Sequence, residues 1–341
     1  MNAILIRTIK TFYRFACIFC YFTGLCFLLS YLKRNEPVIL TYHSINDKCS
    51  PNIYPDSIVS IRNFEEHLKF LSQKRNVIGL EELVRCLEKR EKLSPHTVVI
   101  TFDDGYYDFF LNAHPVLNKY GAPSTVFLMT RYLDSGEGKW DDKLAFLINT
   151  ADSSSVQLTI GGKDRVFRTS TKEEKAFSIR ELQSRLCGLD EEELLETVNK
   201  IEETIGLRQS TLPITTMRRR EIALLKADPL VSFGAHTHDH RDLGKTSDEL
   251  TESEIRTSKE EIEKMTGKKC LFFSYPFGKK KNLNSRVKSI LRAEGFSGAV
   301  TAIPGTIRLD SDLFELKRIV VTDNTMPEFK CALVGFTLQR P

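Results

Sequence analysis

Two fragments, Thr101-Phe102-Asp103-Asp104-Gly105 and His236-Thr237-His238-Asp239-His240, each stand directly after an apolar run, and together they carry the donors of a hydrolytic metal site. Thr97 to Phe102 is β-branched and aromatic, which predicts a buried strand ending at the aspartates. Two adjacent carboxylates at a strand end repel one another unless a cation neutralises one of them. Gly105 permits a sharp turn there. The second fragment follows Leu230-Val231-Ser232-Phe233-Gly234 and spaces His236 and His240 four apart, on one face if a helical turn begins there, with His238 pointing elsewhere. Two histidines and one carboxylate leave a coordination position open for water, the donor set of a catalytic site. The other aspartate is then available as a base. His43, His67, His96 and His114 complete the histidines. His67, among Glu65, Glu66 and Lys69, reads as an exposed helix residue, and His96 and His114 as structural or solvent-facing.

With these residues placed, the chain resembles the polysaccharide deacetylase family, the carbohydrate esterases built on the NodB homology domain. Thr101 to Gly105 matches the first family motif, and His236, Thr237 and His240 behind Gly234 match the second. The resemblance implies that Asp104, His236 and His240 bind the metal and that Asp103 is the general base. Phe273-Ser274-Tyr275-Pro276-Phe277-Gly278 departs from the third motif, which usually has an arginine before its aromatic-proline step. Arg318 is the candidate to orient Asp103, since a guanidinium can fork onto a carboxylate; a surface arginine flanking a strand is the alternative. The family pattern also implies an oxyanion donor in the backbone near Tyr275. The usual C-terminal Leu-x-His motif is missing after residue 300. In the related biofilm poly-N-acetylglucosamine deacetylases an early histidine supplies the acid, which makes His43 the candidate here, with packing at a barrel mouth as its alternative.

The expected activity is metal-dependent removal of N-acetyl groups from an N-acetylated glycan or lipid-linked saccharide. The metal is expected to be Zn2+, with Co2+, Ni2+ or Fe2+ able to occupy the same donors. A catalytically impaired glycan-binding protein and an amidase of a small N-acyl compound are the competing readings. The resemblance implies a distorted (β/α)7 barrel with the site at the C-terminal ends of its strands, over residues 37–335, with a helical insertion at about 131–215 and a tail at 336–341. Strands alternating with helices along the chain agree with a parallel α/β fold. Helices are expected over 64–71, 80–87, 109–120, 172–205, 249–265 and 284–293, and strands over 38–43, 97–102, 122–128, 270–275, 296–300 and 319–321. Trp140, the only tryptophan, is expected to have a scaffold role, filling a core or packing the insertion against the barrel, with sugar stacking as its alternative.

Residues 1–36 form a separate element. Phe15 to Leu32 is almost uninterruptedly apolar, flanked by Arg7, Lys10 and Arg14 before and by Lys33 and Arg34 after, and predicts one uncleaved transmembrane helix. The charge bias across it favours an inside N-terminus and a catalytic domain outside the cytoplasm. The 49 basic and 45 acidic residues of the 341 leave a net charge of +4. The short runs Arg218-Arg219-Arg220 and Lys279-Lys280-Lys281 form no nucleic-acid surface, though the second could meet an anionic glycan or lipid head group. Cys17, Cys20 and Cys26 lie in the apolar stretch, and Cys49, Cys86, Cys187, Cys270 and Cys331 are expected to be mostly buried thiols without a disulfide framework.

Overall fold

The computed structural model describes all residues except 1–2, 48–52, 54–56, 135–137, 161, 187–188, 190, 207–214 and 338–341. Cys49, Cys187 and most of the tail expected at 336–341 therefore lie outside the described residues.

The N-terminal apolar stretch is not one straight helix. Helix α1 (Ala3–Phe22) and helix α2 (Leu25–Leu32) meet at a 78° bend, and no single helix among the described residues is long and apolar enough to cross a membrane. The pair together passes that test of length and composition. The break has a local cause. Gly24 sits at φ 77°, and the Thr23 hydroxyl donates to the Phe19 carbonyl at 2.8 Å, closing the last turn of α1.

Alternating strands and helices follow: β1 (Val38–Tyr42), the short β2 (Ser44–Ile45) and β3 (Ile58–Val59), α3 (Ile61–Lys74), β4 (Asn76–Ile78), α4 (Leu80–Glu88) and β5 (Thr97–Phe102). Helix α5 (His114–Tyr120) leads to β6 (Ser124–Leu128). Every residue of β1, β5 and β6 is buried, as a strand covered on both faces requires. Helix α4 buries Leu80, Leu83, Val84 and Leu87, a stripe at helical spacing against the sheet. The helix expected over 109–120 is split: Phe109–Ala113 forms a wider π-turn before α5.

The chain then leaves the sheet for α6 (Trp140–Thr150), an antiparallel hairpin of β7 (Ser155–Ile160) and β8 (Lys163–Arg168), α7 (Lys172–Leu186) and α8 (Glu191–Ile205). This excursion, expected to be helical, holds an antiparallel hairpin beside its helices. Residues of β7 alternate exposed and buried, and Gly162 at φ 70° lies in the turn, so the period-2 pattern and the glycine pair Gly161-Gly162 carried a hairpin signal. Trp140, Leu144, Phe167, Ile179, Leu182 and Ile201 belong to a small core of this excursion, where the tryptophan has the scaffold role expected of it.

The chain rejoins the sheet through α9 (Arg219–Leu225), β9 (Val231–Ala235), α10 (Asp248–Thr266), β10 (Phe272–Ser274), α11 (Ser285–Ala293), β11 (Gly298–Val300), β12 (Ile319–Val320) and α12 (Met326–Leu333). The parallel path runs β11-β10-β9-β6-β5-β1-β12, with β4 paired to the start of β5. Its two ends approach each other. Leu316, just before β12, bridges to Val300 of β11, and the Thr301 amide donates to the Leu316 carbonyl at 2.8 Å. The strands therefore curve around a common interior, with their C-terminal ends on one side.

His67 departs from expectation. It is fully buried on α3, stacked on Phe329 of α12 at 3.8 Å, with its ring nitrogens 3.3 Å from the Tyr42 hydroxyl and 2.9 Å from the Asn324 carbonyl. The charged neighbours in sequence lie on the other face of the same helix. His114 is structural, paired with Asp228 at 2.8 Å.

Candidate active site

At the open end of β5 the chain turns at Asp103 and Asp104, both buried. Asp104 adopts φ 69°, a left-handed backbone that a non-glycine residue takes only where its surroundings enforce it. A side chain at Gly105 would meet Leu128 Cδ2 at 2.7 Å, so the turn can press against β6 only as glycine.

His236 follows β9 directly, and its amide extends the ladder to the Leu128 carbonyl at 3.0 Å. The two metal-motif histidines do not share a helical face. Residues 236–240 form an irregular bend with Thr237 at φ 63° and His240 at φ 58°, and this bend brings both rings inward. Glu254 of α10 holds it, accepting the amides of His238 and Asp239 at 2.9 and 2.8 Å and the Arg241 Nε at 3.0 Å. His238 points away, as expected, to the Thr130 hydroxyl at 2.8 Å. Gly234 is required beneath: a Cβ there would lie 2.5 Å from the Phe127 ring and 2.8 Å from the Phe272 carbonyl.

Asp104 Oδ1 lies 3.4 Å from His236 Nε2 and 3.6 Å from His240 Nε2, and it is a buried oxygen without a hydrogen-bond partner. The donor atoms of these three residues all fall within 4.8 Å of one another. His236 Nδ1 donates to the Ser274 carbonyl at 2.7 Å, which leaves Nε2 with its lone pair turned to the same point. Burial pushes His240 down to about 4, keeping its ring neutral. An orphaned carboxylate oxygen facing two imidazole nitrogens fits a divalent cation of the zinc type.

The two aspartates are held by different cations of the protein. Arg318 is 1 % exposed and forks onto Asp103, Nη1 to Oδ1 at 2.8 Å and Nη2 to Oδ2 at 2.6 Å. Its remaining donors reach Thr41, Thr101, Ser274 and the Thr301 carbonyl at 2.7–3.1 Å. These come from β1, β5, β10 and the end of β11, so the barrel interior below the site is a polar layer built around one guanidinium. The surface alternative for Arg318 is excluded. Burial would raise the Asp103 carboxyl, but Arg318 and His236 hold it below its usual value.

Lys139, at the start of α6, is the residue that sequence reasoning missed. Its Nζ lies 2.5 Å from Asp104 Oδ2, with Asp141 at 3.5 Å and Asp142 at 3.9 Å. Burial opposes the charge on Lys139, but the three carboxylates outweigh it and keep the ammonium charged. Lys139 therefore takes one oxygen of Asp104 and leaves Oδ1 to face the histidines.

His43, at the end of β1, lines the same cleft as Asp103, Asp104, His236, His240 and Arg318, and its buried Nδ1 has no partner. Burial lowers its pKa, against the pull of Asp104 and Asp103. The oxyanion donor expected at Tyr275 is corrected. Its amide donates to the Val300 carbonyl at 3.2 Å within the sheet and its hydroxyl to the Phe314 carbonyl at 2.9 Å, so neither group is left for substrate.

The family model for polysaccharide deacetylase matches residues 90–158 and 191–299, more than half of the chain, and leaves out 159–190 within the insertion. The chain belongs to the polysaccharide deacetylase family. As such it is a hydrolase of the N-deacetylase type. This polysaccharide deacetylase is 24 % identical over 297 residues, 86 % of its own length and 75 % of the other, to the family protein YxkH of Bacillus subtilis. It is 28 % identical over 114 residues, 30 % of its length and 39 % of the other, to the poly-beta-1,6-N-acetyl-D-glucosamine N-deacetylase of Staphylococcus epidermidis. Among solved structures it resembles the Streptococcus pyogenes deacetylase PplD in complex with acetate, with a TM-score of 0.58, 20 % identity and coverage of 86 % and 95 %. IcaB from Ammonifex degensii gives a TM-score of 0.56, 19 % identity and coverage of 88 % and 97 %. These structural likenesses show the fold.

Proposed function

We propose that this polysaccharide deacetylase uses a divalent cation held by Asp104, His236 and His240 to remove N-acetyl groups from an N-acetylated glycan or a lipid-linked amino sugar. The orphaned Asp104 oxygen between two histidines, beside a second carboxylate clamped by Arg318, is the observation that carries the proposal. A bound cation, Zn2+ first and Co2+, Ni2+ or Fe2+ in its place, would supply Lewis acidity for the acetamide carbonyl and its attacking water.

Asp103 receives the water proton. Arg318 keeps that carboxylate in one orientation, so its oxygens meet the water without rearrangement. The water oxygen adds to the carbonyl carbon, the C–N bond breaks, the departing amine takes a proton from His43, and the proton held by Asp103 returns to His43. Acetate and a free amino sugar result. The relatives named for poly-beta-1,6-N-acetyl-D-glucosamine support a β-linked N-acetylglucosamine unit as one substrate class. Both the aspartate pair and the two histidines are intact and converge in one cleft, which favours catalysis over a glycan-binding relic.

The enzyme sits at a membrane in this reading, with the bent N-terminal pair as anchor in place of a straight span. Its support is the apolar composition of that pair and its basic leading residues.

The test is acetate release from chito-oligosaccharides, β-1,6-linked N-acetylglucosamine oligomers, peptidoglycan fragments and polyprenyl-linked amino sugars. At least one is expected to be turned over, and His43→Ala should slow it about a hundredfold with metal content unchanged. No release from any substrate by metal-loaded protein contradicts the proposal, and an undiminished His43→Ala rate removes His43 from it.

A further inference from the structure

Most of the exposed large apolar side chains among the described residues lie between residues 12 and 32. Phe12, Phe22 and Phe27 are 76, 79 and 79 % exposed, and Phe15, Phe19 and Leu32 each 67 %. A continuous apolar face of this kind marks an interaction surface.

The opposite face of the pair is bound to the catalytic domain along its length. Tyr13 and Cys17 of α1 and Cys26 of α2 are buried with Cys331 of α12. The Tyr13 hydroxyl donates to the Phe336 carbonyl at 3.0 Å, and Arg14 pairs with Glu328 at 3.0 Å. Farther along, Arg75 reaches Ser30 at 2.8 Å and Lys33 reaches the Val334 carbonyl at 2.8 Å. A pair docked this way could stand across a bilayer only by drawing α12 and its ion pair into hydrocarbon. The 78° bend also prevents one continuous span. Aromatic side chains on one face and basic residues at both ends are the features of helices that lie in the membrane interface.

The same helix forms part of the active-site wall. Lys10, Tyr13 and Arg14 line a cleft of about 490 Å³ together with Asp103, Asp104, His236 and His240. Lys279 lines it as well. The exposed apolar face and the cleft thus lie on two sides of one helix, with Lys10 and Arg14 on the cleft side.

We propose that α1 and α2 lie in the plane of an anionic bilayer interface, and that the cleft takes its N-acetylated amino sugar from a phosphate-linked lipid in that bilayer. The tail stays in the membrane, the phosphate passes Lys10, Arg14 and Lys279, and the acetamide reaches Asp103 and Asp104. This deepens the N-deacetylase reading and rests on it.

The test uses the full chain and the combined variant Phe15→Ser, Phe19→Ser, Phe22→Ser, none of which lines the cleft. Wild type is expected to co-float with vesicles of phosphatidylethanolamine and phosphatidylglycerol, and the variant to bind at least about tenfold more weakly. Both should release acetate from a water-soluble chito-oligosaccharide at the same rate. On a polyprenyl-phosphate-linked N-acetylhexosamine embedded in the vesicles, wild type should be at least about tenfold faster. Phe15→Trp and Phe27→Trp should both be quenched more by lipids brominated near the head group than near the chain end. Wild type that fails to bind vesicles, for instance because a second copy covers the face, overturns the proposal. So does a variant that keeps the full rate on the embedded lipid, or deeper quenching at either tryptophan. Absence of acetate from every substrate indicts the deacetylase reading instead, since flotation and quenching still report the membrane seat.

Discussion

At residue scale, the two aspartates differ because different cations hold them. Arg318 spends its donors on Asp103 and on a ring of strand-end hydroxyls and a carbonyl, which is how a buried guanidinium is tolerated without solvent. Arg318→Lys keeps the charge but loses the fork. It is expected to lower kcat about tenfold to a hundredfold with metal content unchanged, read by acetate release beside elemental analysis. Lys139 balances Asp104 and Asp141, while burial raises the Asp142 carboxyl well above its usual range. Lys139→Met leaves those carboxylates uncompensated and should cost about 3–5 kcal/mol of stability in metal-free protein. Added zinc should recover more Tm in the variant than in wild type, because the ion replaces the missing charge; equal Tm values would show that Lys139 carries no such load. The metal donors were legible in the sequence because they sit in two contiguous motifs at strand ends. Lys139 was not, because its role exists only once the insertion folds back over β5. Thr41, Thr101 and Ser274 were hidden for a related reason: strand register, which no local pattern encodes, turns them to the interior. Tyr275 was misassigned because a motif position does not reveal that its amide is already used by β11.

At the scale of elements, long periodic helices and buried strands followed their patterns, as α4, α10 and β5 show. Short or irregular pieces did not. The His236–His240 bend uses positive φ values in place of a helical turn, with Glu254 tying it to α10. The hairpin of β7 and β8 was masked by the helical pattern around it. Helix α12 is short, yet it joins the barrel to the N-terminal pair, and its contact with α3 includes the buried ring of His67 on Phe329. Burial lowers His67 to about 4. The unfolded chain therefore binds a proton below pH about 6.5 that the folded one refuses until about 4, so this contact loses stability as pH falls through that window. Thermal unfolding should show wild type losing about 3 kcal/mol more than His67→Phe between pH 7 and pH 4. Parallel pH dependences would mean that His67 protonates freely in the fold.

For the whole molecule, a parallel barrel gathers residues from β1, β5, β9 and the approach to β12 at one end, where the insertion supplies a counter-charge and α1 a wall. Each of these parts is remote in sequence, and the sheet order brings them together. At that end Asp104, His236 and His240 are proposed to hold a catalytic cation, with Asp103 beside it as base. The most direct measurement follows acetate release and bound metal together in chelator-treated protein titrated with zinc, for wild type, Asp103→Asn and Asp104→Ala. Wild type is expected to regain activity as it binds one equivalent, Asp103→Asn to bind the same equivalent with activity at least about a hundredfold lower, and Asp104→Ala to bind little. Full activity in the chelated protein, or in metal-loaded Asp103→Asn, would contradict that assignment.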